Sequence, residues 1–225
     1  MRWVDRGPEP DGVAGYRREF TQGWIDYFED RVGGRPTDSY WRNFRNELGH
    51  RFHLRCGYCE RQCDDTADGG DLSPTVDHFR PLSRYPRRAY RWTNWIYSCQ
   101  RCNAEKADVW PQGGYVDPCA ANVSERPDQY LDYDISTGEI VPKPELKPSA
   151  ETRALRTIGD LRLNALNLRK GRFDWIKEIR EDLLQLPFAD RQALANLITD
   201  PSDTAIEFVG ITRMVVIQMQ QAGEI

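Results

Sequence analysis

Two cysteine pairs, Cys56-Gly57-Tyr58-Cys59 and Cys99-Gln100-Arg101-Cys102, enclose an Asp77-His78 dipeptide, and these residues have the types and spacing to do chemistry. Each C-x2-C pair can form a knuckle that contributes two thiolates. Together the knuckles can close a tetrahedral Zn²⁺ site and staple two segments far apart in sequence. Four thiolates leave no open coordination position, so such a zinc is structural. The same sulfur set also suits an iron–sulfur cluster or a redox pair, and buried thiols or disulfides are a further reading. Cys63 lies close enough to Cys59 to compete as a ligand, whereas Cys119, after Asp117-Pro118, reads as packed.

Between the knuckles run Val76-Asp77-His78-Phe79-Arg80-Pro81 and Asn94-Trp95-Ile96-Tyr97-Ser98, and Asn103 and Lys106 follow the second knuckle. Phosphodiester hydrolysis needs a base to make the nucleophile and a group to hold the charge of the pentacovalent state. His78 can take the proton from water. Asp77 and the side-chain oxygen of Asn103 can hold a hard divalent cation, Mg²⁺ or Mn²⁺. Neighbouring strand residues point to opposite faces, so Asp77 and His78 share a site only at a bend, a bulge or a strand end. His50 and His53 have no comparable partners and read as structural.

These residues must be positioned by short elements in a turn-rich middle region. Before it, Tyr16 to Arg31 reads as a helix with Phe20, Trp24, Tyr27 and Phe28 near one face, stopped by Gly33-Gly34. Pro36-Thr37-Asp38 starts a second helix carrying Trp41, Phe44 and Leu48. Both aromatic stripes read as core, and residues 1–14 as a loose leader. Residues 64–75 read as a solvated acidic loop, whose spacing does not fit a calcium loop. After the middle region, Leu131–Ile135 and Glu139–Val141 around Ser136-Thr137-Gly138 form a hairpin. Helices follow around Leu155 and Ile158, capped by Ser149 or a neighbour, then Phe173 to Leu183 and Ala193 to Ile198. Met214–Ile217 fits either a final helix or a buried strand.

The chain has 225 residues, 39% of them hydrophobic and 11% aromatic, enough for a core and too many for a disordered chain. No apolar stretch is long enough for a membrane span, and the start Met1-Arg2-Trp3-Val4-Asp5 lacks a signal core, so a cytoplasmic protein is expected. With 31 Lys+Arg against 35 Asp+Glu the net charge is −4, which excludes a globally basic nucleic-acid binder. The charge is uneven, however. From Arg61 to Asp77 acidic residues dominate, whereas from His78 to Lys106 Arg80, Arg84, Arg87, Arg88, Arg91, Arg101 and Lys106 stand against Glu105 alone. Such a switch suits a local polyanion-binding face. No P-loop glycine pattern is present.

The Asp-His pair followed by Pro, the Asn five residues before a Cys, and the C-x2-C-Asn-x2-Lys ending resemble the HNH endonuclease family from Cys56 to about Asp108. The resemblance implies a ββα-metal core with His78 as general base and Asp77 and Asn103 as ligands of a catalytic Mg²⁺ or Mn²⁺. It also implies that Asn94 braces the loop that holds His78. Where Asn103 stands the family often has His. Over residues 50–185, the Cys-Gly-Tyr-Cys-Glu start, Tyr90–Trp95, Asp117-Pro118-Cys119, Gly138–Pro142 and the segment from Thr157 to Arg172 further resemble the HNH component of Septu and retron-associated anti-phage systems. That likeness implies a defence nuclease working with an ABC-type ATPase partner.

The expected fold is therefore α+β: a compact ββα-metal HNH core stapled by a four-cysteine zinc site, flanked by N- and C-terminal helical regions. The expected division is 1–50, an N-terminal helical region; 51–120, the nuclease core; and 121–225, a hairpin and C-terminal helical region. The expected function is metal-dependent cleavage, with DNA as the favoured substrate and RNA open. Two other classes compete: a zinc-knuckle nucleic-acid-binding module without catalysis, and a structural assembly subunit. The Asp77-His78-Asn103 set speaks against both, because binding alone does not need a base beside two oxygen ligands.

Overall fold

A computed structural model describes residues 1–37, 39–64, 70–199 and 208–225. The sequence readings for Asp38 and for residues 65–69 of the acidic loop lie outside the described residues, as does the side chain of Ile198. The chain divides into two compact units, one of Val4–Gly57 with Gln62–Gly114, the other of Met1–Trp3, Tyr58–Arg61 and Tyr115–Ile225.

In the first unit, helix α1 (Val13–Ile25) buries Val13, Trp24 and Ile25 and passes into a π-helical turn over Asp26–Asp30. Arg31, in the left-handed region at φ 57, ends it. A 3-10 turn over Tyr40–Phe44 leads into α2 (Arg45–Arg51), which buries Leu48. Strands β1 (Pro74–His78) and β2 (Trp95–Cys99) pair antiparallel, with Asp77 opposite Ile96 and His78 opposite Trp95. All five residues of β2 are buried, so no polar alternation marks it in the sequence. Helix α3 (Gln100–Lys106) follows without a loop, completing a ββα unit. Gly57 has a packing reason: a Cβ there would meet Phe52 at 2.7 Å and Ile96 at 2.9 Å.

In the second unit, β3 (Leu131–Asp134) and β4 (Glu139–Pro142) form the expected hairpin. Gly138 turns it at φ 74, and a Cβ would approach the Arg169 carbonyl at 2.7 Å. Asn164 clamps the β4 edge, accepting from Ile140 N and donating to Ile140 O at 2.8 Å each. The buried Arg172 reaches Asn164 Oδ1 and the Gly138 carbonyl. Around the hairpin are α4 (Pro148–Asp160), α5 (Leu166–Gln185), α6 (Phe188–Thr199) and α7 (Val209–Gln221).

Several expectations are corrected. Residues 1–14 are no loose leader, since Arg2 is buried in one unit and Val4, Arg6 and Val13 in the other. Lys147, not Ser149, takes the cap position of α4, with Pro148 supplying a preset φ at the first helical position. Leu155 and Phe173 are exposed, because α4 turns Ala154, Thr157 and Ile158 inward and α5 turns Leu168, Arg172, Ile176 and Leu183 inward. Of the two readings open for Met214–Ile217, the helix is the one formed, within α7.

Candidate active site and metal clip

The second knuckle runs from the last residue of β2 into the first turn of α3, and the first follows α2. The Sγ atoms of Cys56, Cys59, Cys99 and Cys102 all lie within 4.8 Å of one another, and all four residues are buried. Four soft donors in that space suit a tetrahedral metal with Zn–S bonds of about 2.3 Å. Cys63 is buried outside the cluster and Cys119 is half-buried.

Asp77, His78 and Asn103 come together on one cleft of about 1030 Å³, which Thr75 also lines. The facing problem posed by adjacent strand residues is met at a strand end, because His78 is the last residue of β1. Asn103 sits one turn into α3 and donates through Nδ2 to Thr75 Oγ1 at 3.1 Å. Thr75 in turn donates to the Ser98 carbonyl at 2.9 Å. This chain of bonds directs the Asn103 amide nitrogen to protein, so its oxygen is the atom suited to a cation.

The His78 imidazole is held on two sides. Its Nε2 donates to the Ala89 carbonyl at 2.8 Å, which also accepts from Trp95 Nε1 at 2.8 Å. A carbonyl only accepts, so Nε2 carries the hydrogen and Nδ1 is the basic nitrogen of the neutral ring. Trp41 meets the ring edge-on, with centroids 4.6 Å apart. Burial pushes the His78 pKa down to about 4. The Lys106 charge acts in the same direction, and the Ala89 bond and Asp77 oppose it. The imidazole is thus neutral at physiological pH, the state a base requires.

Asn94 does not line the cleft but closes the loop behind it. Its Oδ1 accepts from Arg80 N at 2.9 Å, and its Nδ2 donates to Arg80 O at 3.1 Å and Arg88 O at 3.3 Å. The loop so braced includes Ala89, the partner of His78.

Two contributors had no assigned role at the site in the sequence, where Lys106 stands as a motif member and a cation of the basic stretch. Lys106, fully buried, donates to Asp77 Oδ1 at 3.0 Å and to the His78 carbonyl at 2.9 Å, tying the two neighbours together. Its spacing three residues after Asn103 marks it in the sequence, but its bond to Asp77 leaves no local sign there. Trp41 was read as core only. Beside the cleft, Arg84, Arg87, Arg88 and Arg91 line a groove of about 500 Å³ with Tyr85, Thr93 and Glu29. Arg87 pairs with Glu29 there at 2.8 Å. Partial burial and repulsion from Arg80 and Arg91 lower the Arg88 pKa, the mark of crowded like charges.

A zinc-knuckle ββα-metal core is the class that this fold and site define. Residues 56–108 match the HNH endonuclease family model, which places an HNH domain on the knuckles, the hairpin and α3. No curated protein matches the chain. No helix among the described residues is long and apolar enough to cross a membrane.

Proposed function

We propose that this protein is a metal-dependent HNH endonuclease that hydrolyses phosphodiester bonds, with DNA as its substrate. The observation that carries the reading is the hold on His78, whose Nε2 is committed to the Ala89 carbonyl and which lines one cleft with Asp77 and Asn103. His78 Nδ1 takes the proton from the attacking water. Asp77 and Asn103 offer a carboxylate and an amide oxygen, a donor set that fits a hard cation such as Mg²⁺ or Mn²⁺. Bound there, it would supply charge neutralisation at the phosphate oxygens. Asn94 keeps Ala89 in place and thereby the orientation of the base. A zinc bound by the four cysteines would hold α3, and with it Asn103, against the first knuckle.

The Arg84, Arg88 and Arg91 groove gives sequence-independent backbone contacts, so binding is salt-dependent. The wider likeness over residues 50–185 supports a place in an anti-phage defence complex with an ABC-type ATPase. The test of the nuclease reading is cleavage of plasmid and matched RNA with Mg²⁺, Mn²⁺ or EDTA, alone and with that ATPase. His78→Ala should keep zinc and circular dichroism while losing cleavage by at least about 100-fold, the scale of a positioned base. Undiminished cleavage by the folded variant would remove His78 from this role.

A further inference from the structure

The cleft that holds Asp77, His78 and Asn103 has a second wall, and this wall lies outside the HNH-matched residues. Its parts come from the end of α1 through the start of α2: the aromatic rings of Trp24, Tyr27, Phe28 and Trp41, and the cations Arg35, Arg42 and Arg45. Trp24 and Trp41 are buried and brace each other, with centroids 5.4 Å apart. Tyr27 and Phe28 are only half-buried. Arg35 and Arg42 are exposed and make no ion pair with a described residue. Among the described residues, the acidic groups on the same cleft are Asp77, already bonded to Lys106, and the exposed Asp108. A wall of this charge beside a phosphodiester-cleaving site is matched to an anion.

The backbone here is also unusual. Tyr27 and Phe28 lie in the π-helical turn over Asp26–Asp30, and wide turns of this kind are rare and recur at functional sites. The wider turn leaves the two neighbouring rings in an edge-to-face pair, 4.7 Å between centroids and 71° between planes. Phe28 in turn stacks on Trp24 at 6.0 Å. The next residue, Glu29, lines the neighbouring arginine groove, so this one turn borders both the cleft and the groove. The cleft volume of about 1030 Å³ is at the upper end for small-molecule sites, which suits a stretch of polymer.

We propose that the turn carrying Tyr27 and Phe28, together with Arg35 and Arg42, forms a strand clamp. In it Arg35 and Arg42 hold backbone phosphates next to the scissile one, and Tyr27 and Phe28 offer their rings to an unpaired base. The ligand is a single-stranded or frayed polynucleotide, recognised by backbone charge and a base π-face. The proposal deepens the nuclease reading and rests on it for the position of the scissile phosphate, while binding itself can be measured without cleavage.

The experiment uses the full chain carrying His78→Ala, zinc-loaded, with labelled single-stranded DNA and RNA oligonucleotides and a DNA duplex, followed by fluorescence anisotropy across a salt series. Arg35→Ala with Arg42→Ala should weaken single-strand binding about tenfold or more and flatten the log–log salt slope by about 1 to 2. Arg35→Lys with Arg42→Lys should keep the slope, because the charges remain. Tyr27→Ala should weaken single-strand binding by about tenfold, with a smaller effect on duplex, and Tyr27→Phe should restore it. Wild-type affinity and salt slope in the folded Arg35→Ala, Arg42→Ala chain would overturn the clamp. The same outcome, with cleavage intact in the chain that keeps His78, would leave the nuclease reading standing. Loss of binding in the arginine variant, with no cleavage by the wild-type chain under any metal condition, would leave the clamp standing and sink the nuclease reading.

Discussion

At the scale of single residues, the candidate site is a set of buried polar groups whose partners are almost all protein. His78 is committed through one nitrogen, Asn94 through both ends of its amide, and Lys106 through bonds to Asp77 and the His78 carbonyl. Such a site is preorganised, because rotating any one group breaks a bond that burial makes costly to lose. The Lys106–Asp77 pair is the clearest case, with side chains 1% and 5% exposed. Lys106→Met leaves a carboxylate buried without its counter-charge, so urea unfolding of the zinc-saturated protein should show a loss of about 3–5 kcal/mol. Asp77→Asn in the same chain should recover much of that loss, since the stranded charge is gone. A single variant as stable as wild type would mean that the pair does not stabilise the fold. The Asn94 brace is implied by the HNH resemblance, but neither the His78–Ala89 bond nor the Lys106–Asp77 pair was legible in the sequence, although the residues themselves were. Spacing brings Asp77 and Lys106 to notice as motif members, but which carboxylate meets which ammonium depends on how α3 packs on β1.

At the scale of elements, the knuckles and the hairpin β3–β4 make separate predictions. Each knuckle fixes an end of an element, so releasing the metal frees the first knuckle from α3 and β2 together. The purified, tag-free protein should carry about one zinc per chain. Cys99→Ser should lose the metal and much of the cooperative unfolding transition, while Cys63→Ser, outside the cluster, should keep both; elemental analysis and thermal melting decide. In the hairpin, Tyr133 is buried, and its hydroxyl meets no partner among the described residues. Burial, and less strongly Asp134, push its pKa up to about 12 against the pull of Arg172. A raised pKa means that the folded state holds the proton more tightly. This contribution to stability is complete below about pH 10, the ordinary tyrosine value, and is lost as pH rises towards about 12. Tyr133→Phe should therefore lose less stability than wild type over that window, measured by denaturant unfolding at stepped pH. Parallel curves for the two proteins would reject the shift.

At the scale of the whole molecule, the HNH-matched residues 56–108 are a minority of the chain, and helices surround them in sequence. In the second unit, Leu166, Leu184, Phe188 and Leu197 are exposed apolar residues on α5 and α6. A nuclease with backbone-directed binding endangers host DNA, which gives control by a partner a physical purpose. Under the defence-complex proposal, co-expression with the ABC-type ATPase should yield one species by size-exclusion chromatography with light scattering. Cleavage should be at least about tenfold stronger in that peak than from this chain alone. Separate elution together with full unassisted cleavage would defeat the partnership while leaving the nuclease assignment intact.

The sequence by itself determined the candidate residue types and their order: two cysteine pairs enclosing Asp77-His78 and Asn94, with Asn103 directly after the second. Coordination chemistry accepts few residue types, and a ββα unit imposes short spacings, so both leave a mark in a single chain. It also determined the β3–β4 hairpin, because turn residues and alternating burial are local properties. Only the tertiary structure decided that Trp41, Tyr27 and Arg35 line one cleft with Asp77 and that Lys106 pairs with that carboxylate. An aromatic stripe at helical spacing reads the same whether it fills a core or lines a cleft, and an exposed arginine carries no local sign of the site it faces. These residues gain their meaning from elements brought close by folding, and no spacing along the chain records that distance.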